Sequence, residues 1–256
     1  MRIVTLLLLS IMPLLASSEE ANPDPWEGFN RKMFAFNETL DRHVARPLAQ
    51  GYLAITPEPV DRSVSHFFSN FHDLTVIVNG LAQLKFGQAL SDTARVLVNT
   101  TIGFFGIFDV ATHIGLPKHN EDFGQTLGYW GVGSGPYLVL PLLGPSTVRD
   151  TGGLALEYSA GLSYVDMGNR DQGRAATGLY LVDTRAGLLA SENLISGDRY
   201  TFIRSFYLQR REFLINDGVL EDDFGDDDWD SWEDEDDWED EDDWEEAGFD
   251  EDGIEE

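Results

Sequence analysis

Five histidines, His43, His66, His72, His113 and His119, are the first residues to test for chemistry. None stands in H-E-x-x-H, where two imidazoles one helical turn apart hold zinc and the neighbouring carboxylate acts as base. His113 and His119 are six apart across Gly115 and Pro117, a broken segment that does not pair them. A serine nucleophile would be Ser134, yet Val132 and Pro136 occupy the glycine positions of G-x-S-x-G. The same run fails G-x-G-x-x-G at Pro136, and no phosphate-cradling G-x-x-x-x-G-K-[ST] occurs. Asp109, Glu121 and Asp122 are acid–base candidates without a partner arrangement that would set them apart from caps and loop charges. There is no cysteine, so disulfides, thiolate catalysis and cysteine-ligated metal sites are excluded. The residues call for no catalysis, no metal and no cofactor.

The elements that would position these residues are helical. Trp26, Phe29, Met33, Phe36, Leu40, Val44 and Leu48 recur at spacings of three and four, one apolar stripe along a long helix. Asp24 and Pro25 predict its N-cap and first position, and Gly51 with Thr56-Pro57-Glu58-Pro59 predicts its end. Trp26, Phe29, Met33 and Phe36 are expected to pack against other helices. Val60, Val64, Phe67, Phe71, Leu74, Val78 and Leu81 predict a second stripe, and Gln88–Asn99 a third helix. Thr100–Ala111 is apolar nearly all round and too short to span a bilayer, which suits a buried core helix, a re-entrant piece or an interfacial piece. Phe123–Pro145 is so rich in glycine and proline that a hairpin-like loop with its tip near Gly133-Ser134-Gly135 is expected. Gly124-x-x-x-Gly128 has a helix-packing spacing, but in such a loop that signal is weak. Helical patterning returns at Leu154–Tyr164, Ala175–Leu194 and Tyr200–Ile215.

The two ends differ from this body. Met1-Arg2, the apolar stretch Ile3–Leu15 and the small residues Ala16-Ser17-Ser18 predict a secretory signal peptide over 1–18, with the exported chain starting at Glu19. Of the 46 acidic residues, 25 lie between Asp217 and Glu256, where no lysine or arginine occurs. The net charge of −29 therefore belongs almost wholly to the tail, and residues 19–218 form a near-neutral body. Trp232-Glu-Asp-Glu-Asp-Asp repeats from Trp238 and restarts at Trp244. Such a segment cannot bury enough apolar surface to offset its self-repulsion, so residues 219–256 are expected to be disordered. Trp229, Trp232, Trp238 and Trp244 are candidates for docking on a basic, apolar groove of a partner protein met after export. Asp226, Asp228 and Asp230 imitate the start of a calcium loop, but Ser231 replaces its glycine. The acidic balance argues against nucleic acid.

Several runs carry a family resemblance. They are Asp24-Pro-Trp-Glu-Gly-Phe-Asn-Arg-Lys-Met-Phe-Ala-Phe-Asn37, Arg95-Val-Leu-Val-Asn-Thr-Thr-Ile-Gly103, Phe108-Asp-Val-Ala111, Glu121-Asp-Phe-Gly-Gln-Thr-Leu-Gly-Tyr-Trp-Gly-Val-Gly-Ser-Gly-Pro-Tyr137, Arg149-Asp150 and Tyr207-Leu-Gln-Arg-Arg-Glu-Phe213. Over residues 22–218 the chain resembles the MlaA/VacJ family of outer-membrane phospholipid-trafficking proteins. The resemblance implies a mainly α-helical, ring-like body embedded in the periplasmic leaflet of the outer membrane. It implies a role in lipid asymmetry: the ring gives phospholipids from the outer leaflet a channel to a periplasmic lipid carrier, and onward to an inner-membrane ABC transporter. The implied partners are phospholipid, that carrier and trimeric porins. The other reading is a non-channel adaptor that links porin to carrier.

By the same resemblance, the Gly-rich hairpin with Tyr129, Gly131, Gly133, Gly135 and Tyr137 would border the channel, the glycines acting as hinges. The plain alternative is a tight turn. Phe104, Phe105, Ile107 and Phe108 would touch membrane or porin, against the alternative of ordinary core. Many family members carry an acylated cysteine at the end of the signal. Ser18 stands in that place here, so retention is expected to rest on the embedded body and its partners.

Overall fold

A computed structural model describes residues 23–190 and 197–219. The expected signal peptide over 1–18 and the acidic tail, with Trp229, Trp232, Trp238 and Trp244, lie outside the described residues. Within them the chain is mainly α-helical. Helix α1 (Glu27–Leu40) passes through a π turn at Asp41–Ala45 into α2 (Arg46–Ile55), followed by α3 (Glu58–Ala82) and α4 (Phe86–Thr101). Short α5 (Val110–His113) and α6 (Phe123–Tyr129) lead to strands β1 (Tyr137–Leu140) and β2 (Gly144–Thr147). Helices α7 (Val148–Ala160), α8 (Arg170–Leu188) and α9 (Arg199–Ile215) complete the body.

Local chemistry accounts for the boundaries. Pro47 has no N–H to give residue 43, and the helix widens to π geometry just before it. The helix then runs through Gly51 and ends at Thr56, which is extended (φ −101°, ψ 115°) because Pro57 follows. The expected break at Gly51 is therefore corrected. Asp24 is likewise not the cap of α1: Trp26 holds that position, and the Asp24 carboxylate is buried elsewhere. Asn169 and Gln172 form a reciprocal capping box on α8, and Gly161 (φ 72°) closes α7 in the left-handed region.

The Gly-rich stretch differs from expectation. Residues 123–129 form α6, residues 130–136 are a connection, and the hairpin is β1–β2, with Tyr137 opposite Thr147 and Leu140 opposite Gly144. Its turn falls at 141–143, where Leu142 (φ 68°) and Gly144 (φ 83°) supply the left-handed backbone that the reversal needs. A tip at 133–135 is therefore corrected. The alternation that buries Tyr137 and Val139 pulls this segment into a strand despite Pro141.

The classical sorting of side chains is reversed. Trp26, Phe29, Phe36, Val44 and Leu48 of the first stripe are exposed, and so are Val60, Leu74, Val78 and Leu81 of the second. The expectation that Trp26, Phe29 and Phe36 pack against other helices is thus corrected. What α1 buries is Asn30, and what α3 buries includes Asn70, Asp73, Thr75 and Asn79. The small apolar core is Tyr137, Val139 and Tyr200, with Met33, Phe34, Tyr207 and Leu208 packed on it. A second aromatic cluster joins α3 to α8 through Phe68, Tyr164 and Tyr180.

Candidate functional site

Polar pairing fills the interior that apolar side chains leave. On α1, Asn30 is fully buried; its Nδ2 donates to Asp24 Oδ1 (2.7 Å) and to the Tyr137 carbonyl (3.0 Å), and its Oδ1 accepts from the Val139 N–H (2.9 Å). Two turns later Asn37 repeats the device, donating to the Leu140 carbonyl (2.9 Å) and accepting from the Leu142 N–H (2.8 Å). The Phe-Asn pairs 29–30 and 36–37 are seven apart, so each asparagine turns to the hairpin while each phenylalanine turns outward. Asp24 also accepts from Arg204 Nη1 (3.1 Å) and from the Tyr200 hydroxyl, tying the entry of α1 to α9.

A second network lies between α3, α4 and the segment after α4. Arg95 is buried and donates to Asp109 (3.2 Å), to Thr112 Oγ1 (3.2 Å) and to the Leu116 carbonyl (2.6 Å). Asn99 donates to Asp109 (3.0 Å) and accepts from the Ala111 N–H (2.8 Å). Burial disfavours the Asp109 charge, but hydrogen bonds from Thr112 and Asn99, with the Arg95 charge, outweigh it and hold the carboxyl down at about 2. Glu121 accepts from Gln83 (2.8 Å), Lys85 (3.1 Å) and Gln88 (3.1 Å).

The third network joins α6, α7 and α9. Arg211 grips Asp122 with both terminal nitrogens (2.5 and 2.9 Å) and reaches Asp150 (3.0 Å), which also accepts from Tyr207 (2.7 Å) and Arg149 (3.0 Å). Burial raises the Asp122 pKa, yet the Arg211 guanidinium outweighs it and leaves the carboxyl below its ordinary value. Glu157 has no such cation in hydrogen-bond reach; burial first, then the Asp122 charge, push it up to about 7. This network requires glycine, because a Cβ on Gly153 would stand 2.8 Å from Gly124 Cα, and one on Gly124 2.6 Å from Arg211 Nη2. Gly124 and Gly128 therefore lie on a packed helix, where their spacing does mark close approach. Asp109 and Asp122 cap α5 and α6. Among the described residues no cluster of His, Asp and Glu could hold a metal ion.

Phe104 and Phe105 sit outside this interior, in a tight turn between α4 and α5. Both are left-handed (φ 53° and 60°), a conformation costing about 1–2 kcal/mol per residue, and both are about two-thirds exposed (63% and 65%). Phe108 is exposed as well, whereas Ile107 is half-buried. The turn is fixed from inside: the Phe105 and Gly106 N–H groups donate to Thr100 and Asn99 carbonyls, and Gly106 (φ 84°) lies against Asn70. The ordinary-core alternative therefore does not describe Phe104, Phe105 or Phe108.

Of the channel candidates, Tyr129 is exposed and stands edge-on to Trp130, whose indole N–H donates to the Ala82 carbonyl (3.0 Å). Gly131 (φ 83°) and Gly133 have open space where a Cβ would be, whereas Gly135 (φ 65°) lies against Val148. Tyr137 is not with them: it is fully buried in the apolar core, where burial and the Asp24 charge push its hydroxyl up to about 12. Sequence reasoning missed Asn30, Asn37, Asn79, Gln83, Arg95 and Arg211. The signal was there, since uncharged amides recurring at helical spacing opposite an apolar stripe differ from the Lys/Glu face of a water-exposed helix.

A helical protein that buries amides and ion pairs while turning phenylalanine and leucine outward reverses the partition of water-soluble domains. Comparison with known proteins names the family. The model of the "MlaA lipoprotein" family matches residues 22–214. The chain is 36% identical over 213 residues to "Intermembrane phospholipid transport system lipoprotein MlaA" of Escherichia coli K12, covering 80% of this chain and 83% of that one. It is 40% identical over 197 residues to an uncharacterized protein of Rickettsia felis, covering 75% and 78%. A chain solved under the description "Structural basis for maintenance of bacterial outer membrane lipid asymmetry" superposes with a TM-score of 0.66 at 36% identity, covering 75% of this chain and 99% of that one. The chain belongs to the MlaA family, although none of its 256 residues is a cysteine.

Proposed function

We propose that this protein is the outer-membrane component of a phospholipid transport system that maintains lipid asymmetry. In this reading it is exported, lies in the periplasmic leaflet of the outer membrane, and gives outer-leaflet phospholipids a channel to a periplasmic lipid carrier without catalysis. The observation that carries the reading is the reversed partition, with apolar side chains outside and paired amides and ions inside. Among the described residues no helix is long and apolar enough to cross a membrane, which suits a body seated in one leaflet. In that setting Phe104, Phe105 and Phe108 reach into acyl chains or a porin wall, and their exposure stops being a cost. The ring form, the trimeric porin and a channel border at Tyr129, Gly131, Gly133 and Gly135 rest on kinship, with Tyr137 as the border's fixed anchor. The acidic tail, with its four tryptophans, docks on the carrier.

Native mass spectrometry of the detergent-extracted protein tests the proposal, combined with transfer of labelled phospholipid to the carrier in reconstituted membranes. Bound phospholipid and transfer are expected. A lipid-free protein that still binds carrier and porin would establish the adaptor reading instead, and release of fatty acid would overturn the absence of catalysis.

A further inference from the structure

A groove of about 640 Å³ runs between α3, α8 and the turn after α4. Val60, Val64 and Phe67 line one wall, Ile107 and Met167 an end, and Leu179 the other wall. No charged side chain lines it, and the side-chain oxygens of its two polar residues, Ser63 and Gln172, are already engaged. The Ser63 hydroxyl donates to the Pro59 carbonyl (2.8 Å), and Gln172 Oε1 accepts from the Asn169 N–H (2.9 Å). The floor is fixed, because Phe68 stands edge-on to Tyr164 and Tyr180 with centroids 5.3 and 5.5 Å away. The Ile107 carbonyl is held by His66 Nδ1 at 3.3 Å.

We infer that this groove seats one acyl chain of a phospholipid, an inference that rests on the transport function proposed above. The choice of occupant follows from what the groove withholds. A peptide laid in it would bury N–H and C=O groups opposite methyl and ring carbons, at about 1–3 kcal/mol for each unpaired group. A lipid headgroup would lose its hydration with no ion to replace it. A hydrocarbon chain has no polar group to lose, and a site of this volume lies within the range of small-molecule pockets. The groove shares Ile107 with the phenylalanine turn, so its end adjoins the strongly apolar part of the exterior.

The test uses the full chain in vesicles of phosphatidylethanolamine and phosphatidylglycerol doped with phosphatidylcholine carrying a diazirine at one acyl terminus. After irradiation, adducts on Phe67 and Leu179 should exceed those on Leu90 and Leu97, exposed residues of α4, by about tenfold. Ala176→Trp, which fills the groove, should remove the groove adducts and keep those on α4. Val60→Glu, which adds a charge at a half-exposed wall position without filling, should do the same, so the result does not hang on one variant. Equal labelling of groove and α4, groove labelling that survives both variants, or a protein crosslinked there in place of lipid would overturn the inference alone. Absence of adducts everywhere would overturn the lipid-transport reading with it.

Discussion

Asn30 does with one side chain what an adjacent strand would do with its backbone. Asn30→Ala leaves the Tyr137 carbonyl and the Val139 N–H without their partner inside the body. At about 1–3 kcal/mol per buried unpaired group, the variant should lose about 3 kcal/mol, read as a lower urea midpoint in detergent; an unchanged midpoint would show the clamp to be dispensable. Glu157 behaves in the opposite sense. Its raised pKa means that the folded protein keeps a proton that the unfolded chain releases between about 4.3 and 7. Stability therefore falls as pH rises through that window, and the loss is complete above about 7. Glu157→Gln should melt above the parent at pH 8 and together with it at pH 4. An equal advantage at both pH values would point to packing instead of charge.

Helix α7 carries adjacent glycines with different surroundings. A Cβ on Gly152 meets nothing within 4 Å, whereas one on Gly153 runs into the backbone of α6. Gly152→Ala should be neutral or stabilising by up to about 1 kcal/mol. Gly153→Ala should push α6 away from α7 and break the grip of Arg211 on Asp122, which thermal melting of the two variants will separate. The helices themselves were legible in the sequence, because apolar residues at spacings of three and four define one stripe per helix. Which side of the stripe faced inward was not legible, since a helix has the same period whether its apolar stripe meets a core or a lipid tail. The same ambiguity hid Asn30 and Asn37 inside a motif whose phenylalanines drew attention. Proline and glycine density concealed α6, because seven residues with packed glycines look like a loop until the neighbouring helix is known. Composition points the β1–β2 turn to 133–135 and not to 141–143 for a related reason: Leu142 adopts the left-handed conformation that composition assigns to glycine.

At the scale of the molecule, charge and apolar surface are segregated along the chain. The near-neutral body carries the outward phenylalanines and leucines, and residues 217–256 carry 25 acids without a base. Association with vesicles should therefore persist when residues 220–256 are deleted, at both low and physiological salt. Capture of the periplasmic carrier should weaken on deletion at low salt, where electrostatic attraction is least screened. Flotation assays with the full and shortened chains, and carrier pull-downs across a salt series, check both. Loss of vesicle binding on deletion would assign membrane attachment to the tail.

The asparagine clamp also covers an edge of the small sheet. A two-stranded sheet with a free edge is an open template for a strand from another chain, a route to swapped dimers and fibres during export. Here the outer edge of β1 is already filled, by the Pro23 carbonyl on the Tyr137 N–H (2.8 Å) and by Asn30 on Tyr137 and Val139. The β1 edge is thus closed to strand addition once α1 docks, its outward N–H and C=O groups being already engaged at Tyr137 and Val139.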